Sequence, residues 1–199
     1  MTKLENKCLY YAEKLHSGVV YGAGLVILDQ VKGTTNIVKA HSNLTGDEKE
    51  TAVLATLLHK CFEKKRIAEG VAPLTPNDVK KIAGEKVLSV IQELASEPED
   101  KNKTKMGQWE EKAQWSKGLS HQAQEILLAE KIMNFEVSRD KPNPSKPLSW
   151  HQEYFQTRML MVDALKEVNP TLYHIAVQTK NEGLYKIAMM QKNMGKQRD

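Results

Sequence analysis

Apolar residues recur at helical spacing along nearly the whole chain. Leu4, Cys8, Ala12 and Leu15 predict a first helix over residues 3–17. A glycine-spaced apolar stretch from Tyr21 to Leu28 follows, and a short helix is expected around Thr35–Ala40. Thr45 with Glu48 has the form of a capping box, opening a helix that carries Val53, Leu54, Leu57, Leu58, Cys61 and Phe62. Thr75, Pro76 and Asp78 open another, which runs to about Ser96 on Val87, Leu88, Ile91 and Leu94. Trp109 and Trp115 fall on a helix predicted to end near Gly118, and Ser120 starts the next, through Phe135. Ser149 with Gln152, and Asn169 with Pro170, mark the last two starts. No run alternates as a half-buried strand does. The expectation is an all-α chain of about seven helices, with residues 1–199 as one domain and polar loops near 97–105 and 138–148.

Composition narrows the function classes. At 199 residues the chain is long enough to bury a substantial core. A net charge of +4 is too small to argue for nucleic-acid binding. Cys8 and Cys61 cannot make a disulfide framework and read as small apolar helix residues. Gly18 to Leu28, the longest apolar stretch, is too short to span a bilayer. Lys3, Glu5 and Lys7 make a secretory leader improbable, so a soluble, cytoplasmic protein is expected, with neither membrane nor nucleic acid as partner.

Two helices carry the chemistry. Residues Leu57-Leu58-His59-Lys60-Cys61-Phe62-Glu63-Lys64 resemble the metal-site helix of the HD-domain metal-dependent phosphohydrolases. More narrowly, they resemble the RelA/SpoT-type branch that hydrolyses guanosine tetraphosphate, whose pattern is Leu-Leu-His-Asp-x-x-Glu-Asp. Residues Leu128-Ala129-Glu130-Lys131-Ile132-Met133-Asn134 are similar to that branch's Leu-Ala-Asp-Arg/Lys-Leu-x-Asn, whose aspartate is the last metal ligand. Trp150 to Leu165, with Glu153-Tyr154-Phe155, looks like the helix that closes the same pocket. Motif order agrees over roughly residues 4–180, which implies an HD-domain-like helical bundle.

The resemblance also implies a metal site that this chain does not reproduce. Lys60 stands where the family has aspartate, and lysine is a cation that cannot be an ordinary metal ligand. The family's first histidine should match Leu28-Asp29-Gln30-Val31 or Gly33, and neither supplies one. His41 falls about two turns too late. His59 is kept and Glu130 replaces the final aspartate, so these two are remnant positions. The segment His16 to Gly22 is largely apolar where the family has a basic nucleotide-gripping loop. With Lys60 and Lys64 replacing two acids, the local charge swings by about four units. On a continuous helix, His59 with Glu63 and Lys60 with Lys64 would be neighbours four apart. The Lys60 ammonium is expected in the vacated metal position, paired with Glu130 or Glu63, with no metal cofactor bound.

Three functions compete. The first is a degenerate HD-fold protein that has lost metal-dependent hydrolysis and binds a nucleotide or other phosphate ligand, or acts through a protein partner. Its ligand-binding candidates are Lys60, Lys64, Asn134 and Tyr154. The second is an active, divergent nucleotide (pyro)phosphohydrolase, with Glu63 as catalytic base and manganese or another divalent metal on Asp29, His59 and Glu130. The third is a structural interaction module with its cleft filled by side chains. Simpler readings stand beside these: His59 as a packed helix residue, Lys60 to Arg66 as a solvated basic helix end, and Trp109, Trp115 and Trp150 as core anchors.

Overall fold

The computed structural model describes residues 1–21, 25–143 and 146–196. These form nine α-helices: α1 (Lys3–His16), α2 (Ile27–His41), α3 (Gly46–Leu58), α4 (Pro76–Ala83), α5 (Glu85–Ala95), α6 (Lys105–Ser116), α7 (His121–Asp140), α8 (Leu148–Ala164) and α9 (Pro170–Lys196). A two-stranded antiparallel ribbon, β1 (Val20–Tyr21) and β2 (Leu25–Val26), joins α1 to α2, and a 3-10 turn spans Lys64–Arg66. The chain is all-α, as expected.

The helix count exceeds the expected seven for local reasons. The helix expected from Thr75 to Ser96 is two, because Gly84 takes φ 92° and ψ 172° and turns the chain between α4 and α5. Its N–H still closes α4 on the Lys80 carbonyl (2.9 Å), and its own carbonyl accepts from Leu88 (3.2 Å). The short helix expected at 35–40 belongs to the longer α2. Thr34 and Thr35 sit inside it, their hydroxyls donating back to the Gln30 and Val31 carbonyls at 2.8 and 2.7 Å. The ribbon is too short, at two residues a strand, to show any alternation.

Capping signals were unequal guides. Thr75 and Asp78 form a reciprocal capping box, as Thr2 and Glu5 do at α1. Asn169 caps α9 through Leu172 N–H, at 3.0 Å. Thr45 is the N-cap of α3 by backbone conformation, yet its side chain makes no capping bond. Ser149 lies inside α8, whose N-cap is Pro147.

α7 is the axis of the bundle. Ile126 and Ala129 face a core shared with α1 to α5, whereas Leu128, Ile132 and Phe135 face a second core with α8 and α9. A helix buried on both sides has no single apolar stripe. α3 is similar, with every residue from Thr51 to Leu58 buried. Among the described residues no helix is long and apolar enough to cross a membrane.

Gly84→Ala places a Cβ in backbone geometry that L-residues rarely adopt, although nothing lies within 4 Å of it. The cost is therefore conformational, and urea denaturation should show a loss of about 1–3 kcal/mol.

Candidate functional site

Helix α3 stops at Leu58, one turn before the apolar pattern runs out. His59 is its C-cap, and Cys61 N–H donates to the Leu58 carbonyl at 2.9 Å in a tighter turn. Glu63 N–H then donates to Lys60 (3.1 Å), and Arg66 N–H to Glu63 (2.7 Å). His59 with Glu63, and Lys60 with Lys64, are therefore not neighbours on a helix face. The turn carries Lys60 inward instead. It is 9% exposed, while Lys64 stays exposed at the rim.

Inside, Lys60 Nζ lies 3.2 Å from Glu130 Oε1 and 3.2 Å from Glu63 Oε1. Glu63 Oε2 also accepts from Arg66 Nε at 3.2 Å. His59 Nδ1 is 2.6 Å from the Thr56 carbonyl, which can only accept, so Nδ1 carries the proton. His59 Nε2 is buried without a hydrogen-bond partner, 3.9 Å from Glu130 Oε2. Burial, reinforced by the Lys60 charge, pushes His59 down to about 4, leaving it neutral near pH 7. Burial alone would raise the Glu130 carboxyl, but Lys131, Lys60 and His59 outweigh it and hold the group far below the usual carboxylate range. For Lys60 burial pulls downward, and Glu130 with Glu63 reverses the sign, so the ammonium is held more firmly than in water.

This arrangement does not suit a divalent cation. The Lys60 ammonium lies 3.2 Å from Glu130, one of the candidate ligands, and like charges at such distances repel by several kcal/mol at an effective dielectric of about 20. Among the described residues no three or more His, Cys, Asp or Glu side chains are grouped to hold a metal. Asp29, a ligand candidate for the active alternative, is exposed and lines no part of the cleft. At Gly33 a Cβ would overlap the Met133 thioether, so a histidine there would require that side chain to move. Gln30, one turn earlier, faces the site and donates to Asn134 Oδ1 at 2.8 Å.

Lys60 forms part of the wall of a cleft of about 1130 Å³ between the 62–66 turn, α6, α7 and α8. All four ligand-binding candidates (Lys60, Lys64, Asn134 and Tyr154) line it, as do Glu63 and Glu130. His59 lies behind Lys60 and Glu130. Nine Lys or Arg side chains against four Glu line the cleft. Its excess of five positive charges is as large as the net charge of the whole chain, +4, so the rest of the molecule is nearly neutral.

Sequence reasoning missed the opposite wall. Trp150 stacks on Tyr154 with ring centroids 5.7 Å apart, and Arg158 lies 3.5 Å from the Tyr154 centroid and 4.9 Å from that of Trp109. Lys131 and Lys112 approach Trp109 as well, at 5.5 and 5.3 Å. Tyr154 and Arg158 are four apart on one helix face, a signal available beforehand. Trp109 comes from another helix and was not assignable. Trp115 instead donates to Ser96 Oγ at 3.3 Å, away from this cleft.

The pairing at Lys60 has a measurable acid dependence. Glu130 is depressed below its ordinary 4.5, so its contribution is complete above that pH and fades as pH falls. His59, with an ordinary value of 6.5 and about 4 in the fold, acts in the same direction. The unfolded chain takes up that proton first, so stability falls from pH 6.5 to 4. Urea midpoints should therefore drop steadily over this range. Lys60→Met should lose about 3–5 kcal/mol at pH 7 by stranding buried acids. It should also show a shallower acid limb, because Glu130 then loses its partner.

Neither a family model nor a curated protein matches the sequence. Among solved structures, one described as a metazoan ortholog of SpoT that hydrolyses ppGpp and plays a role in starvation responses is similar in fold. The TM-score is 0.71 at 20% identity, covering 92% of this chain and 96% of that one. The chain therefore shares the helical fold of that structure, as the resemblance of its two motif helices implied.

Proposed function

We propose that this protein is a degenerate HD-fold binding protein, in which metal-dependent hydrolysis has given way to recognition of a phosphate-containing ligand, most plausibly a nucleotide. One observation carries the reading: the Lys60 ammonium sits 3.2 Å from both Glu130, a candidate metal ligand, and Glu63, the candidate base. Metal-assisted hydrolysis requires an open, well-ligated cation to activate water. Here the positive charge is an ammonium, which offers no coordination position for a water, and Glu63 is engaged by Lys60 and Arg66 rather than poised as a base. The cleft nonetheless stays open and strongly cationic, which supports ligand binding over a filled, purely structural core. Phosphate suits such a site because lysines bind it as point charges and arginine as a planar fork.

Metal analysis of the purified protein, paired with thermal-shift titration of guanosine and adenosine polyphosphates, tests the proposal. Manganese, iron and zinc should be well below one per chain. The melting temperature should rise with polyphosphates in a concentration-dependent way and stay unmoved by the parent nucleosides. A stoichiometric ion bound through His59, or manganese-stimulated phosphohydrolysis abolished by His59→Ala, would overturn it in favour of the enzyme.

A further inference from the structure

We infer that the anion grip of the cleft is the pair Lys64 and Lys65, on the 3-10 turn at its rim, and that it takes linked phosphoryl groups. The inference rests on reading the cleft as a phosphate site and says which part of it holds the anion. Most of the basic side chains lining the cleft already have partners. Lys60 is 3.2 Å from both Glu63 and Glu130, and Arg66 Nε donates to Glu63 at 3.2 Å. Lys105 pairs with Glu153 and Lys112 with Glu97, both at 3.0 Å. Lys131 lies against Trp109 and helps keep Glu130 ionised, and Arg158 is stacked on Tyr154 and donates to its carbonyl. Lys64, Lys65 and Lys141 differ. Each is exposed on the cleft and makes no side-chain hydrogen bond, ion pair or ring contact among the described residues.

Of these three, the adjacent pair sits where positive charge is densest and the backbone is fixed. Residues 60–66 carry four cations, Lys60, Lys64, Lys65 and Arg66, against the single carboxylate of Glu63. Counting Glu130 as well still leaves two positive charges in excess at this corner. Lys141 instead follows Asp140 directly, at the C-terminus of α7, where the helix dipole already favours a cation. The turn is tied to the end of α1 at two points. The His16 ring holds the Arg66 carbonyl at 2.7 Å, and Ala68 N–H donates to the Leu15 carbonyl at 2.7 Å. A bound anion therefore has to immobilise two side-chain stems and not a loop, which limits the entropic cost of binding. Successive residues of a 3-10 turn point about 120° apart, so the two stems leave the backbone in different directions. Two ammonium groups set apart in this way suit linked phosphoryl groups, each meeting a point charge, better than a single compact anion. No internal ion pair has to break, because neither lysine has one.

Inorganic tripolyphosphate, which has no base or sugar, is the direct probe, with sulfate at matched ionic strength as the control. Binding is read by calorimetry and thermal shift. Tripolyphosphate should bind and raise the melting temperature, whereas sulfate does neither. Both lysines are exposed, so replacing them leaves the core untouched. Lys64→Gln combined with Lys65→Gln should weaken tripolyphosphate about tenfold or more, and each single change severalfold. Lys64→Arg combined with Lys65→Arg should keep most of the affinity, and Lys141→Gln should stay within about twofold of the parent. A double glutamine variant that binds within twofold of the parent overturns this grip and leaves the phosphate reading standing. So does a loss in Lys141→Gln as large as the double variant's, which marks a diffuse field and not a site. A sulfate response equal to that of tripolyphosphate overturns the fit to linked phosphoryl groups. If the parent binds nucleoside polyphosphates but not tripolyphosphate, the same variants are judged on the nucleotide by the same limits. If it binds neither, the phosphate reading itself falls and takes this inference with it.

Discussion

A buried ammonium between two carboxylates is the constraint around which this end of the bundle is organised. Taking a charge out of water costs several kcal/mol, so Lys60, Glu63 and Glu130 are tolerable inside only as a set. The set needs α3 to end at Leu58, so that Lys60 leaves the helix and turns inward. It needs the following turn to return Glu63 to the same point, and α7 to present Glu130 from the far side. Arg66 then balances the second oxygen of Glu63, and the His16 ring holds the Arg66 carbonyl at 2.7 Å, tying the turn to the end of α1.

Helix α7 connects that constraint to the cleft. Its apolar positions serve two cores, which holds the helix rigidly. Two faces follow from its pitch. Glu130 and Asn134, four apart, share a face toward α2 and the ion pair, while Lys131, turned by about 100°, points to Trp109. One helix thus presents Glu130 to the Lys60 ammonium and, at the next residue, Lys131 to the aromatic wall. Lys60 pairs with Glu130 and Glu63, and Lys131 lies against the Trp109 ring while its charge also helps keep Glu130 ionised.

The fold was legible because its signals are local. Helical periodicity, the Thr75 capping box and the Asn169-Pro170 start all depend on residues within a turn of one another. The two motif helices implied the HD-domain-like bundle before any coordinate, and also the pairing of Lys60 with Glu130 or Glu63. What failed locally failed for identifiable reasons. Gly84 splits a helix through a backbone conformation that no periodicity encodes. Thr45 and Ser149 carry capping residue types whose side chains do not make the predicted bonds.

By itself the sequence determined the element types, through spacing within each helix, while the inverted charge at the motif and the candidates Lys60, Lys64, Asn134 and Tyr154 came from the resemblance of its motif helices. Tertiary structure decided where the charge goes. Whether Lys60 faces solvent or the buried Glu130 and half-buried Glu63 depends on α3 stopping at Leu58, and that turn is held by a distant backbone bond from Leu74 to Cys61. The wall of Trp109, Tyr154, Arg158 and Lys131 draws on three helices, and no interval in the chain records that they meet around one ring. Electrostatic partnership is a property of distance in space, which is why the chemistry of this cleft became readable only once the helices were packed.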